Sequence, residues 1–263
     1  MSELKLQDIV SSAGIRWDAA APEPPVLQPG ELHLWATAIP EELDPETRER
    51  LLPLLNEEER APYERLRLAR DRDLHLAAHA HLRQVLSQYA DDPPEAWRFT
   101  RNRYDRPFVE NPSLRGRLYF SLTHTAGLAV TLVSTIEEAG VDSECLGRKV
   151  GIHRVARGVF APSEYADLLA LAEEAQRERF LQLWTLKEAY IKARGMGMAL
   201  PLQRFAYRFE GGAVALEVDP EIDPNPAPWR AATFQLGPEH QVALAVRHPE
   251  QVPLRLKVAV HPV

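Results

Sequence analysis

The sequence predicts an α+β protein made of two halves that share one layout, strand, helices, strands. The halves are expected to be related by a pseudo-twofold axis, with the active site at their interface. Three observations predict this. Between Asp71 and Tyr89, Leu74, Ala78, Leu82, Val85 and Tyr89 recur at three- and four-residue steps, the mark of an amphipathic helix. Short apolar runs with the character of buried strands flank the helical stretches. After a turn expected at Ala139-Gly140 the same order restarts, and GLAVTLVS (127–134) and QVALAVRH (241–248) close the two halves alike.

Taken in order, residues 1–29 end in the run AAAPEPPVLQP and read as a poorly ordered Pro/Ala-rich leader. The N-terminal half, residues 30–138, opens with a strand at Glu31–Ile39. Asn56 followed by Glu59 has the spacing of a capping box, and Pro62 is expected to kink or restart the helix that it begins. Strands follow at Trp97–Phe99, Leu118–Leu122 and Gly127–Ser134. The C-terminal half, residues 139–250, should hold a short strand at Val141–Glu144, then helices near 150–160, 163–174 and 177–194, the last stopped by Gly195. Strands at 205–209, 213–218, 229–236 and 241–247 complete it, and residues 251–263 form a tail.

Composition narrows the function without naming it. The 263 residues carry 31 Lys+Arg against 38 Asp+Glu, a net charge of −7, which argues against a general nucleic-acid binder. A lone cysteine, Cys145, excludes an intramolecular disulfide and fits a reducing compartment. No apolar run reaches the length of a membrane span and the first residues lack a signal-peptide pattern, so the expected location is the cytoplasm. Only five residues are lysine (Lys5, Lys149, Lys187, Lys192, Lys257), and two of them lie five positions apart.

Three segments could carry chemistry. Asp142 and Glu144 flank Ser143 on a strand and so share a face. Such a pair needs a proton, a basic partner or a bound cation unless it is simply a solvated strand end, and oxygen-only ligands favour Mg²⁺ or Mn²⁺. Glu188 and Lys192 lie four apart on a helix flanked by Phe180, Leu183, Trp184, Tyr190 and Ile191, where a site is favoured over an exposed ion pair. Thr123 and His124, with the arginines Arg101, Arg103 and Arg106 upstream, offer donors for phosphate, although a structural histidine and a solvated basic loop explain them equally. His75, His79 and His81 lack metal-ligand spacing and read as structural. No dinucleotide fingerprint, phosphate-binding P-loop or serine-hydrolase elbow is present.

In combination, Tyr104-Asp105-Arg106-Pro107-Phe108, FSLTHT (120–125), GVDSE (140–144) and WTLKEAYIKARGMG (184–197) resemble the 4′-phosphopantetheinyl transferases, in their long, pseudo-duplicated Sfp type, from about residue 31 to 248. The resemblance implies a cytoplasmic monomer that moves the phosphopantetheine arm of coenzyme A onto a serine of an apo acyl or peptidyl carrier protein. It releases 3′,5′-ADP and depends on Mg²⁺, or Mn²⁺ in its place. It implies that Asp142, Glu144 and Glu188 hold the metal, that Glu188 also helps deprotonate the serine, and that Lys192 serves the leaving phosphate. Arg106, Thr123 and His124 would hold coenzyme A phosphates, with Arg101 and Lys187 as further contacts. Neither nucleic acid nor membrane is an implied partner. Ser143 and Pro62 depart from the family pattern, at an apolar position and at a basic one, and GMGMALP replaces a commoner Gly-x-Gly-Leu. Two other readings fit the acidic cluster: a Mg²⁺-dependent phosphohydrolase, and a catalytically silent module that binds carrier proteins. Any steering of an acidic carrier must come from a local patch, for which Arg148, Lys149, Arg154 and Arg157 are the candidates.

Overall fold

The computed structural model describes residues 5–12, 15–18, 26–249 and 254–260. Strands β1 (Leu6–Ser11), β2 (Ile15–Asp18) and β3 (Glu31–Ala38) precede helices α1 (Pro45–Leu51), α2 (Glu57–Arg65) and α3 (Ala69–Leu86). Two hairpins follow, β4 (Phe99–Arg101) with β5 (Pro107–Val109), and β6 (Tyr119–Thr125) with β7 (Leu128–Ser134). The chain continues through β8 (Ala139–Cys145), α4 (Ile152–Val159), α5 (Pro162–Ala170) and α6 (Glu173–Arg194). Hairpins β9 (Phe205–Glu210) with β10 (Ala213–Val218), and β11 (Trp229–Leu236) with β12 (His240–Arg247), lead to β13 (Leu254–Val260). The protein is thus α+β, as the sequence predicts.

Two larger sheets have the orders β1-β11-β12-β8 and β2-β13-β3-β7-β6. One apolar cluster unites them, drawing Leu32, Leu34 and Val130 from one sheet and Val141, Phe234 and Leu244 from the other. Side chains alternate across each strand, so the intervening residues face helices. Trp35 and Val133 pack in the cluster that contains Leu82 and Val85 of α3, and Ala243 and Ala245 pack with α6. Helices therefore cover the outer face of each sheet.

Parity on β8 sets up the site. Ala139 and Val141 enter the inter-sheet core, which turns Gly140, Asp142 and Glu144 toward α6. At Gly140 the helix comes so close that an added Cβ would land on the Ala189 carbonyl oxygen and 2.5 Å from the Ala193 amide nitrogen. Ala139-Gly140 is therefore buried strand and not the expected turn, and its glycine serves close packing.

Other differences from the sequence reading have local causes. Within the leader, β1 joins the C-terminal half's sheet through β11, and β2 lies beside β13. A register shift between Gln7 and Val10, with Asp8 at φ 49°, interrupts the alternation that would have marked β1. The Pro/Ala run at 19–25 lies outside the described residues. The tail is also a strand: β13 runs parallel to β3, with Leu254 and Leu256 buried. The capping box at Asn56 and Glu59 forms as expected, and α2 continues through Pro62 without restarting. The strand expected at 97–99 begins at Phe99, because the Trp97 indole is buried and donates to Ser87 Oγ at 2.9 Å.

Gly140→Ala is expected to destabilise the fold by at least about 2 kcal/mol, since backbone on the opposing helix must move to admit one methyl group. The midpoint of urea unfolding measures this, and an unchanged midpoint would contradict the close packing.

Candidate active site

Strand β6 and strand β8 run side by side at the edges of the two sheets without exchanging backbone hydrogen bonds of a ladder. Hydroxyls join them instead. Ser121 Oγ accepts from the Val141 amide at 3.2 Å, Thr123 Oγ1 from Ser143 at 3.1 Å, and Thr125 Oγ1 from Cys145 at 3.2 Å. Alternation along β6 puts these three hydroxyls on one side, and each satisfies a buried N–H of β8 that faces away from β12. Thr123 Oγ1 also donates to Asp142 Oδ1 at 3.1 Å, and the Ser143 hydroxyl lies 3.2 Å from it. The polar residue at 143 thus joins a polar seam.

Above this seam, Asp142 and Glu144 from β8 meet Glu188 and Lys192 from α6 in a cavity of about 330 Å³. Lys192 Nζ binds Asp142 Oδ1 at 2.7 Å, and not Glu188 as the four-residue spacing suggests. Glu144 is held by Arg148, a partner the sequence reading missed. Glu188 makes no ion pair among the described residues. Burial raises its carboxyl above the usual range, and the charge on Asp142 pushes the same way against the opposing Lys192. Burial likewise raises Glu144, with Arg148 opposing and Asp142 reinforcing. The cavity therefore holds three carboxylates with too little positive charge nearby. Among the described residues no three His, Cys, Asp or Glu side chains converge as a finished metal site, because Asp142 and Glu144 are turned toward their cations.

A second cavity, of about 370 Å³, shares Leu122 and Lys192 with the first. Phe99, Phe120, Leu82 and Ile191 give it apolar walls, while Arg101, Arg106, His79 and Lys192 stand among the carboxylates of Glu58, Glu59 and Asp105. The size and mixture suit a flat heteroaromatic ring carrying phosphates. Gly195 caps α6 at φ 58° and also makes room for Arg106, whose Cδ would lie 2.5 Å from a Cβ there.

Arg106 lines the larger cavity but gives its terminal nitrogens to the Ala193 carbonyl, at 2.6 Å, and to the Glu137 carbonyl, so it closes the end of α6. Arg101, at the rim, donates to the Asp105 carbonyl at 3.1 Å and lies near Glu58. His124 is reachable from solvent on the floor of the smaller cavity. Crowding by the cavity walls lowers its pKa to about 4, with repulsion from His79 and Lys192 adding to it, so the imidazole is neutral and does not supply the expected charge. Thr123 is spent on the seam.

Lys187 is not the coenzyme A contact that the resemblance implies. It is 1% exposed, bonded to Glu164 at 2.8 Å and to the carbonyls of Leu202 and Phe205, and it reaches neither cavity. One position before Glu188, it lies about 100° around the helix and ties α6 to α5 and β9.

An α+β scaffold with an acidic pocket opening into a larger cavity is the class of protein that the geometry defines. A model of the 4′-phosphopantetheinyl transferase superfamily matches residues 138–246. The chain is 29% identical to the 4′-phosphopantetheinyl transferase Sfp of Bacillus subtilis (strain 168), over 79% of this chain and 89% of that one. It is 31% identical to the 4′-phosphopantetheinyl transferase HetI of Nostoc sp. (68% and 75% covered) and 30% to psf-1 of Bacillus pumilus (76% and 82%). The chain belongs to the 4′-phosphopantetheinyl transferase superfamily, in its Sfp type, and is a transferase enzyme of that kind. No helix among the described residues is long and apolar enough to cross a membrane.

Lys187→Met is expected to cost about 3–5 kcal/mol by leaving Glu164 buried and unpaired, far more than Lys192→Met at its water-accessible cavity. Denaturant unfolding of the two variants measures the difference, and equal losses would contradict the buried role of Lys187.

Proposed function

We propose that the protein transfers the phosphopantetheine arm of coenzyme A to a serine of an apo acyl or peptidyl carrier protein, with Mg²⁺ (or Mn²⁺) and with release of 3′,5′-ADP. The observation that carries the reading is the sharing of Lys192 by two cavities, one holding three carboxylates and the other sized for a nucleotide. The donor set fits a hard divalent ion: Asp142, Glu144 and Glu188 offer only oxygen, and two of the three have raised pKa values that a cation would relieve. A bound Mg²⁺ would supply charge stabilisation at the pyrophosphate.

The remaining roles fall to the chain itself. Glu188, unpaired and with a raised pKa, suits acceptance of the serine hydroxyl proton. Lys192 Nζ, between the cavities, neutralises charge on the departing 3′,5′-ADP phosphate and can donate a proton to it. Arg101 and Arg106 border the nucleotide with positive charge, and His124 faces its phosphates from the neighbouring acidic cavity as a neutral donor. Thr123 orients Asp142. Exposed Lys149, Arg154 and Arg157, on and beside α4, offer an acidic carrier a docking patch next to the acidic cavity.

Pseudo-twofold duplication belongs to the same reading. Both halves run strand, helices, short hairpin, long hairpin, and both set the first strand beside the last, β3 against β7 and β8 against β12. The proposed halves are residues 30–138 and 139–250, with the active site between them and the molecule acting as a cytoplasmic monomer.

Incubation with coenzyme A, Mg²⁺ and an apo carrier protein should raise the carrier's mass by one phosphopantetheine group. Release of phosphate without an adduct would indicate the phosphohydrolase, and tight carrier binding without an adduct the silent module. Glu188→Gln and Asp142→Ala should each slow transfer by at least about 10²-fold with native circular dichroism; near-normal rates would sink the assignment. Glu144 and Glu188 have raised folded pKa values, so their stability contribution is present at low pH and lost as pH rises through those values. Mg²⁺ should therefore raise the melting temperature more at pH 8 than at pH 5.

A further inference from the structure

Trp184, Glu188 and Lys192 recur at every fourth residue and form one stripe on α6. The stripe lies along β8. Lys192 Nζ reaches Asp142 at one end of the acidic cavity, and at the other end the Trp184 indole N–H is bonded to the Glu144 carboxylate. Trp184 lines that cavity and also a small apolar recess of about 50 Å³, which it shares with Val150, Val155 and Leu181. Aromatic packing holds the ring. It stacks on Phe180 with centroids 6.1 Å apart and planes 23° from parallel, and Phe180 lies against Phe160 with centroids 5.4 Å apart. Both phenylalanines are buried, so the stack is anchored in the core of the C-terminal half.

Any aromatic ring would serve that stack. What the indole adds is a polar edge, and an indole N–H can only donate. A carboxylate offers about four lone-pair positions, so bonds from Trp184 and Arg148 leave places on Glu144 for a cation. The two donors differ in kind. Arg148 brings a full charge on a half-exposed side chain, whereas the indole is neutral and its ring cannot turn without breaking the stack. A neutral donor orients a carboxylate without cancelling the charge that attracts a metal ion. Burial raises the Glu144 carboxyl, with Arg148 opposing and Asp142 reinforcing, and the Trp184 bond adds to the side of the ionised form. We propose that Trp184 is a positioning residue for Glu144. Its indole N–H, fixed by Phe180 and Phe160, holds the carboxylate in the orientation from which it serves as a ligand, given the metal role proposed for Asp142, Glu144 and Glu188.

Two measurements on the full chain test this. Trp184→Phe keeps a ring over Phe180 and removes the N–H. In Mn²⁺ titrations followed by electron paramagnetic resonance it should bind about tenfold more weakly than the unsubstituted protein, with a native melting transition. In a Glu144→Ala background the same change should alter Mn²⁺ affinity by less than about twofold, because the donor then has no ligand to orient. An equal loss in both backgrounds means that the ring acts by packing alone and overturns the proposal, as does undiminished affinity in Trp184→Phe. The second measurement needs no metal and no change at Trp184. The five tryptophans give five indole cross-peaks in a ¹⁵N–¹H spectrum, and one of them should move upfield in Glu144→Ala. Five unmoved cross-peaks overturn the contact. Absence of Mn²⁺ binding to the unsubstituted protein, or binding that Asp142→Ala leaves unchanged, overturns the metal role itself and this proposal with it. Mn²⁺ binding that needs Asp142 but not the Trp184 N–H overturns this proposal alone.

Discussion

Three hydroxyls on one strand join the adjacent edges of the molecule's two larger sheets. Ser121, Thr123 and Thr125 receive the amides of Val141, Ser143 and Cys145, which would otherwise be buried donors without acceptors. A direct backbone ladder would draw β6 and β8 to about 4.8 Å and make one continuous sheet. Side-chain acceptors reach further, so the strands stay joined but stand apart. The cleft exists because of that separation, with the carboxylates of β8 on one wall and the His124 end of β6 on the other.

The opposite wall is placed by contact, not by hydrogen bonds. Gly140 lets α6 rest directly on β8, which fixes the height of Glu188 and Lys192 over Asp142 and Glu144. Electrostatics then leave the site poised. Two of the three carboxylates are neutralised by partly exposed cations, Lys192 at 30% side-chain exposure and Arg148 at 49%, and the third has no ion pair among the described residues. Those pairs are cheap to open, unlike the buried Lys187–Glu164 pair behind the same helix.

Legibility in the sequence followed periodicity. The long helices, the strands at 213–218 and 229–236, and the capping box at Asn56 are readable because local pattern and tertiary burial agree there. The pairing of Asp142 and Glu144 on one face needed only strand alternation. What failed was information held in partners distant along the chain. Lys187 and Lys192 look alike five residues apart, and only the position of Glu164 makes one of them structural. Ser121 and Thr125 carry no signal apart from the β8 amides that they meet. The bulge hides β1, and Gly140 reads as a turn because a glycine required by packing looks the same in one sequence as a glycine required by φ.

The terminal strands cross over between the two sheets. β1, near the beginning of the chain, extends the sheet built from the later half, and β13, near the end, sits between β2 and β3 in the sheet of the earlier half. The gap in the earlier sheet is filled by residues 254–260 and the outer strand of the later sheet by residues 6–11, so neither sheet gains that strand from neighbouring sequence. Neither sheet is completed by contiguous sequence. The closure entropy of the whole chain is spent in one step, which favours a single cooperative transition and gives no stable place to stop at the midpoint.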